Sequence, residues 1–135
     1  MAAGTYTLLL ELDRDVTIEV GALGPVDFES GWYAYTGSAF GPGGFSRVDR
    51  HHELAAGERE TRHWHVDYLL GHPDVTLRTD VRTVNADVEC AVASRLEPAA
   101  PGFGCSDCDC DSHLATASDR AELTAQVRQA HDCVE

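Results

Sequence analysis

The sequence predicts an α/β chain of the α+β kind: a small antiparallel sheet of three or more strands flanked by helices. Four stretches, at 5–12, 16–20, 32–37 and 75–84, have strand-like patterns, three of them alternating with period two and one rich in aromatic and β-branched residues. Three more, at 44–56, 64–71 and 86–96, carry helical spacing or helix stop signals. At 135 residues and 43% apolar content, the chain suits a single domain, 1–135, with a buried core.

The elements follow in order. "TYTLLLEL" (5–12) sets Tyr6, Leu8, Leu10 and Leu12 on one face. Asp13-Arg14-Asp15 makes a turn, and "VTIEV" (16–20) is expected to pair antiparallel with the first strand. "GALGPVDFESG" (21–31) is expected as a loop, and "WYAYTG" (32–37) as a third strand. In the helix over 44–56, Arg47, Arg50, His51 and Leu54 fall at i, i+3, i+4 and i+7 and share a face. "GERETRH" (57–63) is expected to be exposed. "WHVDYLLG" (64–71) is a short helix closed by Gly71, with Pro73 just beyond. "VTLRTDVRTV" (75–84) alternates as a strand, and "ADVECAVASRL" (86–96) is a helix ended by Pro98. After a Cys-rich segment at 102–117, in which "SHLATA" (112–117) could be a short strand, Ser118 or Asp119 caps a final helix over about 119–132. Leu123, Val127 and Ala130 form its buried face.

Charge narrows the function classes. There are 23 acidic residues against 10 basic ones, and all ten are Arg. An acidic, lysine-free surface suits a cytoplasm at molar salt, where screening over about 3 Å removes most self-repulsion. An acidic protein from a GC-rich genome would also replace Lys with Arg. No apolar run approaches a membrane span, and the first residues lack the pattern of a signal peptide, so a soluble, cytoplasmic protein without membrane contact is expected. Five cysteines, three of them in "GCSDCDC", argue against a secreted disulfide framework.

The charge is unevenly spread. Residues 47–65 hold four Arg (47, 50, 59, 62), four acids (Asp49, Glu53, Glu58, Glu60) and four of the seven histidines. That segment is neutral and the rest of the chain carries the whole net charge of −13. A phosphate-bearing partner could be met there, although a solvated helix with internal ion pairs gives the same count. Gly41-Pro42-Gly43-Gly44 lies just before the helix, where backbone amides favour anions and glycine permits close approach. Glu89 has Val92, Ala93 and Leu96 at i+3, i+4 and i+7, so it sits on or beside an apolar face. A carboxylate there needs an arginine, a hydroxyl or a metal, and one carboxylate with waters is a usual magnesium arrangement. Tyr6 and Tyr35 stand on two strands near the middle of the sheet, as core residues or as proton relays.

"GTY" (4–6) and "YTG" (35–37) resemble the paired motifs of the GIY-YIG nuclease superfamily. "SAFGPGGFSRVDRH" (38–51) is similar to its continuation, in which an arginine on the first helix precedes a second arginine and a histidine. Arg47, Arg50 and His51 match that spacing, and Glu89 resembles the metal-binding glutamate of the superfamily. "WHVDYLL" and "GFGCSDCDCDSHL" are similar to its Uri-like endonuclease branch, known from archaea and bacteria. Thr replaces Ile at the centre of each motif, and the gap between the two tyrosines is longer than usual.

The resemblance implies a three-stranded antiparallel sheet carrying the tyrosines, and a metal-dependent endonuclease. It implies a divalent cation, Mg2+ or Mn2+, on Glu89, with Tyr6, Tyr35, Arg47 and His51 completing the catalytic set. Tyr6 would activate the water, Arg47 would neutralise phosphate charge, and Tyr35 and His51 would support the site. Gly37, Ser38, Gly43, Gly44, Arg50 and His65 would meet the substrate, His63 being the alternative to His65. The implied partner is nucleic acid, DNA before RNA, and so small a nuclease could depend on a protein partner for targeting.

Cys105-x2-Cys108-x-Cys110-x2-His113 offers four ligands that could hold Zn2+. The same segment could shape the rim of the site with ordinary thiols, or carry redox chemistry. Two other functions are compatible with the sequence: a nucleic-acid-binding module without turnover, and a zinc-stabilised interaction protein.

Overall fold

The structure is a computed structural model, and it describes residues 4–20, 24–38, 45–56, 65–72, 74–84, 92–93, 96, 112–117 and 119–134. Among these residues it is an α+β fold with a four-stranded antiparallel sheet, a two-stranded sheet and three helices. The strands are β1 (Gly4–Leu12), β2 (Val16–Glu19), β3 (Pro25–Phe28), β4 (Gly31–Ser38), β5 (Val75–Val84) and β6 (Leu114–Ala117). The helices are α1 (Ser46–Ala55), α2 (His65–Leu70) and α3 (Arg120–Val134).

The larger sheet runs β5-β1-β4-β6. β1 is central and buried on both faces, which suits its nearly unbroken run of apolar and Thr residues. Its even-numbered residues Tyr6, Leu8, Leu10 and Leu12 face a core built with Val48 and Leu54 of α1 and with Val66, Leu69 and Leu70 of α2. Its odd-numbered Leu9 faces a second core built with Ala34, Val92, Leu96 and the α3 residues Leu123, Val127 and Ala130. These α3 positions are spaced i, i+4 and i+7, and the helix is started by Asp119, whose carboxylate accepts the Glu122 N–H at 2.8 Å. α2 closes with a hydrogen bond from Gly71 N–H to the Asp67 carbonyl.

Two expectations are corrected. Residues 16–20 do not pair with the first strand: β2 pairs with β3 as a separate two-stranded sheet. The expected loop at 21–31 therefore contains a strand. Residues 13–15 turn the chain from β1 into β2, and Ile18 and Phe28 pack into the first core. The larger sheet meets the expectation of three or more strands, and β6, within the possible strand at 112–117, adds to the outer edge of β4 as its fourth.

One irregularity sets the geometry of the site. The β1–β5 register shifts between Leu9 and Leu10, where Thr79 and Leu77 are successive partners. Arg78 is the extra residue of this β-bulge. Val75 and Leu77 lie toward the first core, and beyond the bulge Val81 lies toward the second. A one-residue slip exchanges the faces of a strand. Asp80 and Arg82 consequently project on the face that carries Leu8 and Tyr6, their cross-strand partners.

Candidate functional site

The insert between the tyrosine-bearing strands does not separate them. The β2–β3 hairpin leaves the sheet, and β1 and β4 pair along eight residues. Tyr6 is opposite Gly37 and Leu8 is opposite Tyr35, so the two tyrosines are diagonal neighbours on one face. Both are buried. Gly37 is the clearing between them. A Cβ at this position would lie 2.5 Å from the Tyr6 hydroxyl and 3.1 Å from Cε2 of Tyr35.

α1 covers this face. Its buried stripe of Val48, His51 and Leu54 turns His51 fully inward. The Tyr6 hydroxyl and His51 Nε2 share a hydrogen bond of 2.8 Å, with the rings tilted at 48°. The other ring nitrogen, Nδ1, is 3.8 Å from Oδ1 of Asp67 on α2, and Asp67 is itself fully buried. That distance is too long for a hydrogen bond but short enough for a strong charge interaction once the imidazole is protonated. Arg50 approaches the other carboxylate oxygen at 3.4 Å, and its side chain is only 17% exposed. A line of polar atoms thus runs from phenol to imidazole to carboxylate, held by three elements and backed by an arginine.

A second polar cluster flanks the first. Asp80 accepts hydrogen bonds from His52 Nε2–H at 3.1 Å and from Arg82 Nε–H at 2.8 Å. Burial pushes the Asp80 carboxyl up, but the hydrogen bonds and charges of Arg82 and His52 outweigh it and hold the group below its ordinary value. The Arg82 guanidinium also lies over the Phe45 ring, 5.1 Å from its centroid.

On the far face of the sheet, His131 of α3 is buried between two threonines. Its Nε2 is 2.8 Å from Thr7 Oγ1 and its Nδ1 is 2.6 Å from Thr83 Oγ1. Thr7 Oγ1 is in turn 3.0 Å from Thr36 Oγ1. Thr7, Thr36 and Thr83 directly neighbour Tyr6, Gly37 and Arg82 in sequence. Burial lowers the His131 pKa, opposed by the charge of Asp132.

Of the residues singled out from the sequence, Tyr6, Tyr35, Gly37 and His51 come together, and Arg50 lies at their edge against Asp67. Ser38, Arg47 and His65 are placed by backbone on β4, α1 and α2. Gly43, Gly44, His63, Glu89, Cys105, Cys108 and Cys110 lie outside the described residues. Val92, Ala93 and Leu96, which flank Glu89 at helical spacing, are buried, as that spacing predicts. His113 is buried and its carbonyl accepts the Thr36 N–H, extending the β4–β6 pairing. Among the described residues no group of three or more His, Cys, Asp and Glu could hold a metal ion. No helix among them is long and apolar enough to cross a membrane.

Sequence reasoning missed Asp67, Asp80, Arg82 and His131. Asp67 carried a signal: it lies between the apolar Val66 and the Leu69-Leu70 pair of a short helix, where an acid needs a partner.

A family model matches residues 5–135, nearly the whole chain. The chain belongs to that family. It is described as Domain of unknown function DUF123. No match to a curated protein or to a solved structure was found. In this DUF123 member, the arrangement around Tyr6 and His51 is the candidate functional site.

Proposed function

We propose that this chain is a metal-dependent endonuclease that hydrolyses phosphodiester bonds in nucleic acid, DNA before RNA, with Tyr6 at the reacting centre. The observation that carries the reading is the buried hydrogen bond between Tyr6 and His51, with the Asp67 carboxylate behind it. A phenol with an ordinary pKa of about 10 is a poor base at neutrality. Beside an imidazole it need not hold a standing charge. Tyr6 passes its proton to His51 Nε2 as it takes one from the attacking water. The water oxygen bonds to phosphorus as the bond to the ester oxygen breaks, Asp67 favours the imidazolium meanwhile, and the leaving oxygen takes up a proton as His51 and Tyr6 return to their starting states. Gly37 gives the Tyr6 hydroxyl the room it occupies against β4, and Arg47 on α1 would neutralise the charge of the phosphate.

Glu89 is the residue that would hold Mg2+ or Mn2+. Asp67 and Asp80 are already committed to Arg50 and to the His52–Arg82 pair, and a single carboxylate with waters suffices for magnesium. When bound, the cation would supply charge stabilisation at the leaving oxygen.

The test is cleavage of labelled single-stranded, duplex and branched DNA at about 2 M potassium chloride, where screening is nearly complete. Wild type is compared with Glu89→Ala, with magnesium, with manganese and in chelator. Products from the wild type alone, and only with metal, support the reading. Equal cleavage by both proteins removes Glu89 from the site. No cleavage of DNA or RNA by folded wild type rejects the endonuclease reading.

A further inference from the structure

We propose that Arg82 is a phosphate-binding arm of the same face, contacting a backbone phosphate of the nucleic-acid strand next to the phosphate that meets Tyr6. The proposal rests on the endonuclease reading and extends it to how the strand is held.

Position is the first ground. Arg82 is the cross-strand partner of Tyr6, and it reaches that face only because the bulge at Arg78 exchanges the two sides of β5. Orientation is the second. Nε–H is tied to Asp80, Asp80 is tied to His52, and the guanidinium plane lies over Phe45. Among the described residues Arg82 makes no other hydrogen bond, so the tie through Nε leaves the two terminal amino groups for an acceptor. An arginine fixed in this way loses little side-chain freedom on meeting a phosphate, and its paired N–H groups match two phosphate oxygens.

Accessibility is the third ground. The Arg82 side chain is 38% exposed, whereas Arg50 is 17% exposed and directed at the buried Asp67. A chain of net charge −13 repels a polyanion over most of its surface, so a held strand depends on a few positioned arginines. Asp80 is part of the device: it offsets the charge of Arg82 at long range while aiming the guanidinium for contact at short range.

The test is binding of a fluorescein-labelled DNA duplex, and of an RNA duplex of the same sequence, to the 135-residue protein in chelator, where no turnover occurs, across a series of potassium chloride concentrations. Arg82→Gln and Arg82→Lys are compared with wild type, and near-ultraviolet circular dichroism confirms that each is folded. The expected result is a roughly tenfold weaker Kd for Arg82→Gln, with the slope of log K against log salt reduced by about 0.9, the value of one duplex phosphate contact. Arg82→Lys should restore most of the slope but only part of the affinity, because lysine lacks the Nε tie to Asp80. Wild-type binding with unchanged affinity and slope in Arg82→Gln overturns the role of Arg82 and leaves the endonuclease reading standing. Failure of wild type to bind DNA or RNA overturns both.

Discussion

Gly37 on β4 and Tyr6 on β1 are cross-strand partners, and the space that a Cβ would need at residue 37 is held by the tyrosine ring. The added atom would lie 2.5 Å from the hydroxyl and 2.7 Å from Cζ. The ring cannot move aside cheaply, because its hydroxyl is bonded to a fully buried histidine. Gly37→Ala should therefore cost about 1–3 kcal/mol of stability, the range for overpacking a filled interior. Urea denaturation checks this as a lower midpoint with an unchanged slope. A midpoint equal to wild type would mean that the tyrosine yields freely.

Asp67 is expected to matter more for rate than for binding. Asp67→Asn keeps the volume but removes the charge that faces Arg50 and His51. Stability should fall by about 1–3 kcal/mol. If His51 receives a proton during turnover, kcat should fall by about 10²-fold, the usual contribution of general acid–base catalysis. Binding of uncut DNA in chelator should be unchanged. Equal losses in binding and rate would assign Asp67 to structure alone.

His131 gives a pH dependence of stability with a definite sign. Burial lowers its folded-state pKa, whereas in the unfolded chain it titrates near about 6.5. Above that pH the residue is neutral in both states and its buried hydrogen bonds contribute fully. As pH falls below about 6.5, the unfolded state takes up a proton that the folded state refuses, and stability declines until the folded pKa is passed. His131→Gln should be less stable than wild type at pH 7.5 by about 1–3 kcal/mol. The gap should narrow toward pH 5, because only the wild type loses this contribution. Urea midpoints at the two pH values measure the gap, and a constant gap would contradict the burial argument.

The strands and helices with strong periodicity were legible in the sequence, and so were the faces on which Tyr6 and His51 lie, whereas their grouping with Gly37 was implied only by the resemblance. Tyr6 alternates with the leucines of β1, and His51 is spaced with Val48 and Leu54 on the buried face of α1. The β2–β3 pairing was not legible. "PVDF" begins with proline and has only four residues, too few to show an alternation that would mark it as the partner of β2. Arg82 was hidden for a more specific reason. Val75, Leu77 and Val81 share odd numbering, so strict alternation places them on one face and the arginines on the other. The bulge breaks that alternation, and nothing in the residue types marks where the register slips. His131 lies near the end of the chain, and its partners Thr7 and Thr83 are 124 and 48 residues away. No local pattern announces contacts of that range.

In the proposed reaction Tyr6 is the reacting group and His51 its proton partner. The most direct measurement is the single-turnover cleavage rate of a labelled DNA duplex with saturating magnesium, for wild type beside Tyr6→Phe and His51→Gln, with folding of each verified by its urea midpoint. Tyr6→Phe keeps the ring that fills the space at Gly37 and removes only the hydroxyl. The expected result is a loss of about 10²-fold or more in rate for Tyr6→Phe, a comparable loss for His51→Gln, and binding in chelator within about twofold of wild type. A folded Tyr6→Phe protein that cuts at the wild-type rate would contradict it, and Tyr6 and His51 would then be a buried structural pair.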